Sequence, residues 1–183
     1  MDVNFKFNEP AAVEPIRIEQ VFAEKPGGGL VEAPAFDAPA TTAVGEKNGK
    51  FVLIKGYRLV KAVVAADTTI SIAKGSGVKA GDFIATGKKA VACTKVDSSA
   101  ADKDVVTVSL GVDLADGTCL YQAKAASADA AEPLHAPVFV TGNGIKGGEG
   151  DKAVRLINGA NLRKETANVA AEVAALMPGI HLV

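Results

Sequence analysis

The chain has 183 residues, of which 48% are apolar and 5% aromatic, and it contains no tryptophan. This length accommodates one ordinary domain with an arm, or two small domains. The 20 basic residues nearly balance the 21 acidic ones, so the net charge gives no reason to expect a nucleic acid or an anionic membrane as partner. No segment reaches the roughly 20 apolar residues that cross a bilayer, and no signal peptide is visible at the start. We therefore expect a soluble protein made in a cytoplasm.

The first 49 residues predict an extended, Pro/Gly-rich N-terminal arm. Five of the eight prolines precede residue 40, and three consecutive glycines follow the third of them, a composition that excludes a helix or a central strand. Only residues 15–22, PIRIEQVF, alternate apolar and polar side chains as a strand does. A single strand is not stable in water, so it needs a sheet edge in its own domain or in a neighbouring protein. The alternative is a disordered leader.

Residues 50–183 predict a β-rich domain. Short alternating stretches recur throughout this region with Gly and Asp between them, as in KAGDFIATGKKAVACTKV and DVVTVSLGVDL. This pattern is typical of a barrel or a sandwich, and the fold class is therefore mainly β. One amphipathic helix is predicted from about Arg163 to Met177, and the Pro-Gly pair that follows ends it. Residues 180–183, IHLV, then resume as an apolar strand.

No motif in the chain predicts catalysis. Only His135 and His181 are available as bases for a nucleophile, and the glycine-rich segments 25–31 and 142–154 lack the features of a phosphate-binding loop. The two cysteines, Cys93 and Cys119, occupy apolar stretches and predict small buried hydrophobic side chains, with a disulfide between them left open. We expect no catalytic residue, no cofactor and no metal site.

The order of turns and closing elements resembles that of phage head-fibre and capsid decoration proteins. The resemblance covers residues 50–183 and is carried by KAGDFIATG, ADGTCLYQA, GDKAVRLINGANLRKETA and the final helix with LMPGIHLV. The turns and the late, glycine-containing apolar strand that are typical of this family correspond in this chain to Lys79-Ala80-Gly81-Asp82, Asp116-Gly117-Thr118 and Ile157-Asn158-Gly159.

The resemblance implies a non-enzymatic virion structural protein that decorates the outside of the capsid or forms a fibre there. Such a protein is made in the cytoplasm of the bacterial host. It binds the major capsid protein and associates with copies of itself, a trimer being favoured. The N-terminal arm would attach to the capsid by strand addition, and an apolar terminal strand would be covered by association.

Two sets of residues are predicted to carry this association, and for both the alternative is packing within their own domain. The capsid-docking candidates are Ile16, Ile18, Val21 and Phe22. The candidates for core or subunit packing are Ile180, Leu182 and Val183.

Other functions make different demands on the sequence. A cell-surface adhesin needs an export signal. A carbohydrate-binding β module needs a binding surface that the sequence does not define. A small β-barrel hydrolase, the third alternative, needs a pocket that brings His135 or His181 close to carboxylates.

Overall fold

The computed structural model describes residues 15–183. The prediction of a mainly β fold is confirmed, because these residues form a curled half-barrel sheet, two smaller sheets and one short C-terminal helix. In chain order the elements are β1 (Ile18–Glu24), β2 (Gly29–Val31), β3 (Ala43–Lys47), β4 (Lys50–Ile54), β5 (Gly56–Arg58), β6 (Thr69–Ala73), β7 (Phe83–Thr86), β8 (Lys89–Ala92), β9 (Lys95–Asp97), β10 (Lys103–Thr107), β11 (Cys119–Ala123), β12 (Pro137–Thr141), β13 (Lys152–Val154), β14 (Leu156–Leu162), α1 (Ala171–Ala174) and β15 (Ile180–Leu182).

The large sheet has eight strands in the order β1-β14-β12-β3-β4-β2-β13, and β15 also pairs with β14. Only Arg155 separates β13 from β14 along the chain, so the path of the sheet turns back towards its start. Val31, Val44 and Leu156 are fully buried inside this curl. The rings of Phe51 and Phe139 pack edge to face beside them, 5.6 Å apart.

The two smaller sheets pack around a second core. One has the order β6-β10-β9 and the other β5-β11-β7-β8. Alternation places every second residue of β6, and of its antiparallel partner β10, on the inner side. Fully or almost fully buried side chains from both sheets meet there: Tyr57, Ile70, Ile72, Ile84, Val106 and Leu120.

The described part of the predicted arm, residues 15–49, contributes three strands to the large sheet. β1 pairs with β14, β2 pairs with β4 and β13, and β3 pairs with β4 and β12. The segment is extended, as its prolines require, and its strands pair mainly with strands of residues 50–183. The expectation that it forms no central strand is wrong, because β2 and β3 each lie between two other strands of the sheet. Residues 1–14 of the predicted arm lie outside the described residues.

The helix predicted from Arg163 to Met177 is wrong in its extent, because only Ala171–Ala174 are α-helical. The preceding residues use their backbone groups elsewhere: the guanidinium of Arg58 donates hydrogen bonds to the carbonyls of Glu165 and Ala167. The backbone N–H of Asn168 donates to Oγ1 of Thr41 at 2.7 Å. Backbone groups bound in this way are not available for the hydrogen bonds of an α-helix. No helix within residues 15–183 has the length and apolar character that a membrane crossing demands.

Candidate functional site

The two segments predicted for association lie on opposite sides of β14. β1 pairs with β14 antiparallel, and β15 pairs with it in parallel along the second half of the strand. In that half of β14, Ala160, Asn161 and Leu162 each pair with one residue of β1 and one of β15. The result is three rows of three residues across the sheet. The rows are Ile18–Leu162–Leu182, Gln20–Asn161–His181 and Val21–Ala160–Ile180.

Four of the seven predicted residues point into the core. Leu162, Ala160 and Ile180 belong to the largest buried cluster, and the neighbouring side chains in their rows are partly buried against it. These side chains fill the space between the large sheet and α1, whose Val173 belongs to the same cluster. The four inward residues are Ile18, Val21, Ile180 and Leu182.

The other three predicted residues are exposed. Ile16 is 62% accessible, and Phe22 and Val183 are each 54% accessible. Ile16 precedes β1, and its carbonyl accepts a hydrogen bond from the hydroxyl of Thr166. Phe22 lies within β1, and Val183 continues the direction of β15 by donating its N–H to the carbonyl of Leu162.

Phe22 connects the two strands that flank β14. Its ring stacks on the imidazole of His181 with the centroids 6.1 Å apart and the planes inclined by 28°. Gly159 lies beneath the ring, since a Cβ atom at this position would come within 2.9 Å of two atoms of Phe22. The missing side chain of Gly159 thus allows Phe22 to lie flat across the sheet. We call this exposed side of β1, β14 and β15 the β14 face.

Two ion pairs border the β14 face. Arg163, directly after β14, is bound to Glu19 with Nη2 and Oε1 3.0 Å apart. Arg155, directly before β14, is bound to Glu24 with Nε and Oε2 2.5 Å apart. Glu19 and Glu24 are the only acidic residues of the three strands, which contain no lysine or arginine. Between the two ion pairs these strands therefore present no Lys, Arg, Asp or Glu side chain.

A largely buried polar cluster lies around Asp82, in the Lys-Ala-Gly-Asp turn. Its Oδ2 accepts hydrogen bonds from Nζ of Lys55 at 2.7 Å, from the hydroxyl of Tyr57 at 3.1 Å and from the N–H of Lys79 at 2.9 Å. Nε2 of Gln122 donates to Oδ1 at 3.3 Å. The carboxylate thus fixes its own turn and joins it to β5 and β11, which is a structural role.

A cleft with a volume of about 690 Å³ lies where the sheets meet. Arg58 lies on its wall but directs its guanidinium at backbone carbonyls, among them that of Gly117. Lys146, which also lines the cleft, is bound to Asp37 with Nζ and Oδ2 2.6 Å apart. This hydrogen bond, followed by one from the N–H of Gly147, lowers the pKa of the Asp37 carboxyl.

The two histidines occupy different environments. His135 packs on Gly45, where a Cβ atom would come within 2.6 Å of its own. Burial, and secondarily the charge of Lys47, lower the pKa of His135. His181 stacks on Phe22 in the β14 face. Among residues 15–183 no group of three or more His, Cys, Asp or Glu side chains is arranged to hold a metal ion.

Both cysteines are free thiols, so the open question of a disulfide is answered for this structure. Burial raises the pKa of the Cys93 thiol, and it raises that of Cys119 to about 12. Both thiols are therefore poor nucleophiles at neutral pH.

The chain matches no protein-family model, and comparisons with curated proteins and with solved structures found no significant similarity.

The sequence predicted strands at residues 15–22 and 180–183, which overlap β1 and β15. It did not reveal that both strands pair with β14. A signal for this arrangement is the Asn-Gly-Ala run in the middle of β14. Small side chains at the centre of a strand allow large ones from the neighbouring strands to approach each other. The pattern does not reveal which strands those are.

Proposed function

We propose that the chain is a non-enzymatic structural protein of a phage or prophage virion. It decorates the outside of the capsid, or forms a fibre there, and it binds the major capsid protein as a homo-oligomer, with a trimer favoured. The observation that carries this proposal is the β14 face, in which the segments predicted for attachment and for subunit packing lie side by side.

The face has the features of a contact surface between proteins. An exposed aromatic ring lies at its centre, and ion pairs lie at its border, which matches the apolar core and polar rim of protein interfaces. Phe22 is a large side chain of the kind that anchors such contacts. At 54% accessibility it leaves much of its apolar surface in water unless a partner covers it.

The proposal is tested with phage heads assembled from the same genome in the absence of this chain. Purified protein is added, the heads are sedimented, and the bound protein is measured by quantitative mass spectrometry. We expect saturable binding at a fixed number of copies per capsomer. A chain that stays in the supernatant at micromolar concentration would exclude a decoration role.

The cleft favours a second candidate, a carbohydrate-binding β module. Its volume of about 690 Å³ lies in the range of small-molecule sites, roughly 300–1,000 Å³. Polar groups on its walls, such as Asn168 and Ser76, are suited to hydroxyl-bearing ligands. A glycan array with the full chain tests this candidate: reproducible binding to one class of glycan would support it, and an array without signal would count against it.

A further inference from the structure

The charge arrangement of the β14 face points to its partner. Its two carboxylates are neutralised by arginines of the same chain, Glu19 by Arg163 and Glu24 by Arg155. The two carboxylates are thus already paired when a second copy approaches, and identical faces meet without repulsion between unpaired carboxylates.

The centre of the face suits contact with an identical surface. Phe22 and His181 form an aromatic pair that is exposed on its outer side. When identical faces meet around a symmetry axis, the rings of one copy approach those of another, and aromatic pairs contribute beyond the apolar area that they bury. Val183, half exposed at the end of β15, adds apolar surface.

From this we propose that copies of this chain associate with each other through the β14 face, with Phe22 at the centre of the contact. The inference deepens the proposed function, on which it rests, because it assigns the face to the contact between subunits of the proposed homo-oligomer. It also reassigns Phe22, which the sequence predicted for capsid docking.

The test is the mass of the full chain in solution, measured by analytical ultracentrifugation at micromolar concentration. We compare the wild type with Phe22→Asp and with the control Leu30→Asp. Leu30 is 60% accessible and lies in β2, outside the face. We expect a multiple of 18.6 kDa for the wild type and for Leu30→Asp, and 18.6 kDa for Phe22→Asp.

Circular dichroism establishes whether each variant is folded. If Phe22→Asp unfolds, the milder Phe22→Ser replaces it, with an expected weakening of self-association by about tenfold or more. A monomeric wild type would overturn the inference, and so would a Phe22 variant that keeps the wild-type mass. Loss of the oligomer in both Phe22→Asp and Leu30→Asp would overturn the assignment to this face.

Binding to heads, measured separately, distinguishes this inference from the proposed function. A chain that binds heads as a monomer would overturn the inference and the homo-oligomer, but it would leave the capsid-decorating role in place. If the chain does not bind heads, but its oligomer becomes monomeric in the Phe22→Asp variant, the proposed function is overturned and the inference about the β14 face is supported.

Discussion

The ring of Phe22 stacks on that of His181, although the strands that carry them do not pair with each other. Both strands pair with β14, and the contact crosses this strand above Gly159. An exposed aromatic pair therefore marks the place where the beginning and the end of the described chain are joined. The functional proposals rest on this junction. Its contribution to the free energy of unfolding can be measured independently of them.

Replacing Gly159 by alanine should destabilise the protein by about 1 to 3 kcal/mol, the usual cost of overpacking. The new Cβ atom would come within 2.8 Å of Cβ of Ala23 and within 2.9 Å of the ring of Phe22. Urea unfolding gives the change in free energy. The control is Gly144→Ala, where the nearest atom lies at an ordinary 3.5 Å; equal effects of the two variants would show that Gly159 is not a packing constraint.

Leu182→Asp should lower the free energy of unfolding by about 3 kcal/mol, since it places an unpaired charge against the largest core cluster. Val64 is a suitable control because it is 56% accessible, and Val64→Asp should change stability by less than about 0.5 kcal/mol. Differential scanning calorimetry of both variants measures the difference. An unchanged melting temperature for Leu182→Asp would mean that β15 does not pack as described.

Asp82→Ala should cost about 3 kcal/mol, because it leaves the ammonium of Lys55 without its carboxylate in a largely buried site. The two side chains are only 13% and 14% accessible. Asp37→Ala removes the carboxylate of a much more exposed ion pair with Lys146 and should leave the melting temperature close to that of the wild type. Chemical denaturation of the two variants compares them, and a similar loss in both would contradict the structural role of the Asp82 cluster.

Stability should fall as the pH rises above about 9. The pKa of Cys119 is raised from 9.0 to about 12 by burial, and burial likewise raises the pKa of Tyr57. Below pH 9 both the folded and the unfolded chain keep the Cys119 proton, so the contribution of this thiol to the free energy of unfolding is fully present. Above pH 9 the unfolded chain loses this proton first, and stability declines through the window up to about pH 12.

This decline is measured by urea unfolding at pH 8 and at pH 10.5. The Cys119 thiol and the Tyr57 hydroxyl can each lower the free energy of unfolding by up to about 1.4 kcal/mol per pH unit. This holds at pH values between the pKa of the group in the unfolded chain and its pKa in the folded chain. The variant Cys119→Ala lacks one such group and should show a shallower decline than the wild type. Identical pH dependence in the two proteins would mean that the thiol is not buried.

Local patterns predicted the strands well where alternation is regular. In TISIA and KDVVT every second side chain is buried, and these segments are β6 and β10. Turn residues were equally informative, since Asp82 accepts a hydrogen bond within the turn in which its residue type is favoured. The sequence also indicated that residues 15–22 require a sheet partner.

Long-range relationships could not be read from the same patterns. The apolar spacing after Arg163 suits a helix, but Arg58, more than a hundred positions earlier in the chain, takes two of the carbonyls that such a helix needs. The pairing of β1 with β14 likewise depends on register between segments more than a hundred positions apart. Periodicity indicates which side of a strand is apolar, but it contains no information on which strand lies alongside.

The position of β1 has a consequence for synthesis of the chain. Glu19 and its partner Arg163 are separated by 144 positions, so β1 leaves the ribosome long before β14 exists. During this interval its backbone groups are open to other nascent chains, and sheets formed from such distant segments fold slowly. We expect the yield of folded protein to depend on chaperones that hold this segment until β14 has been translated.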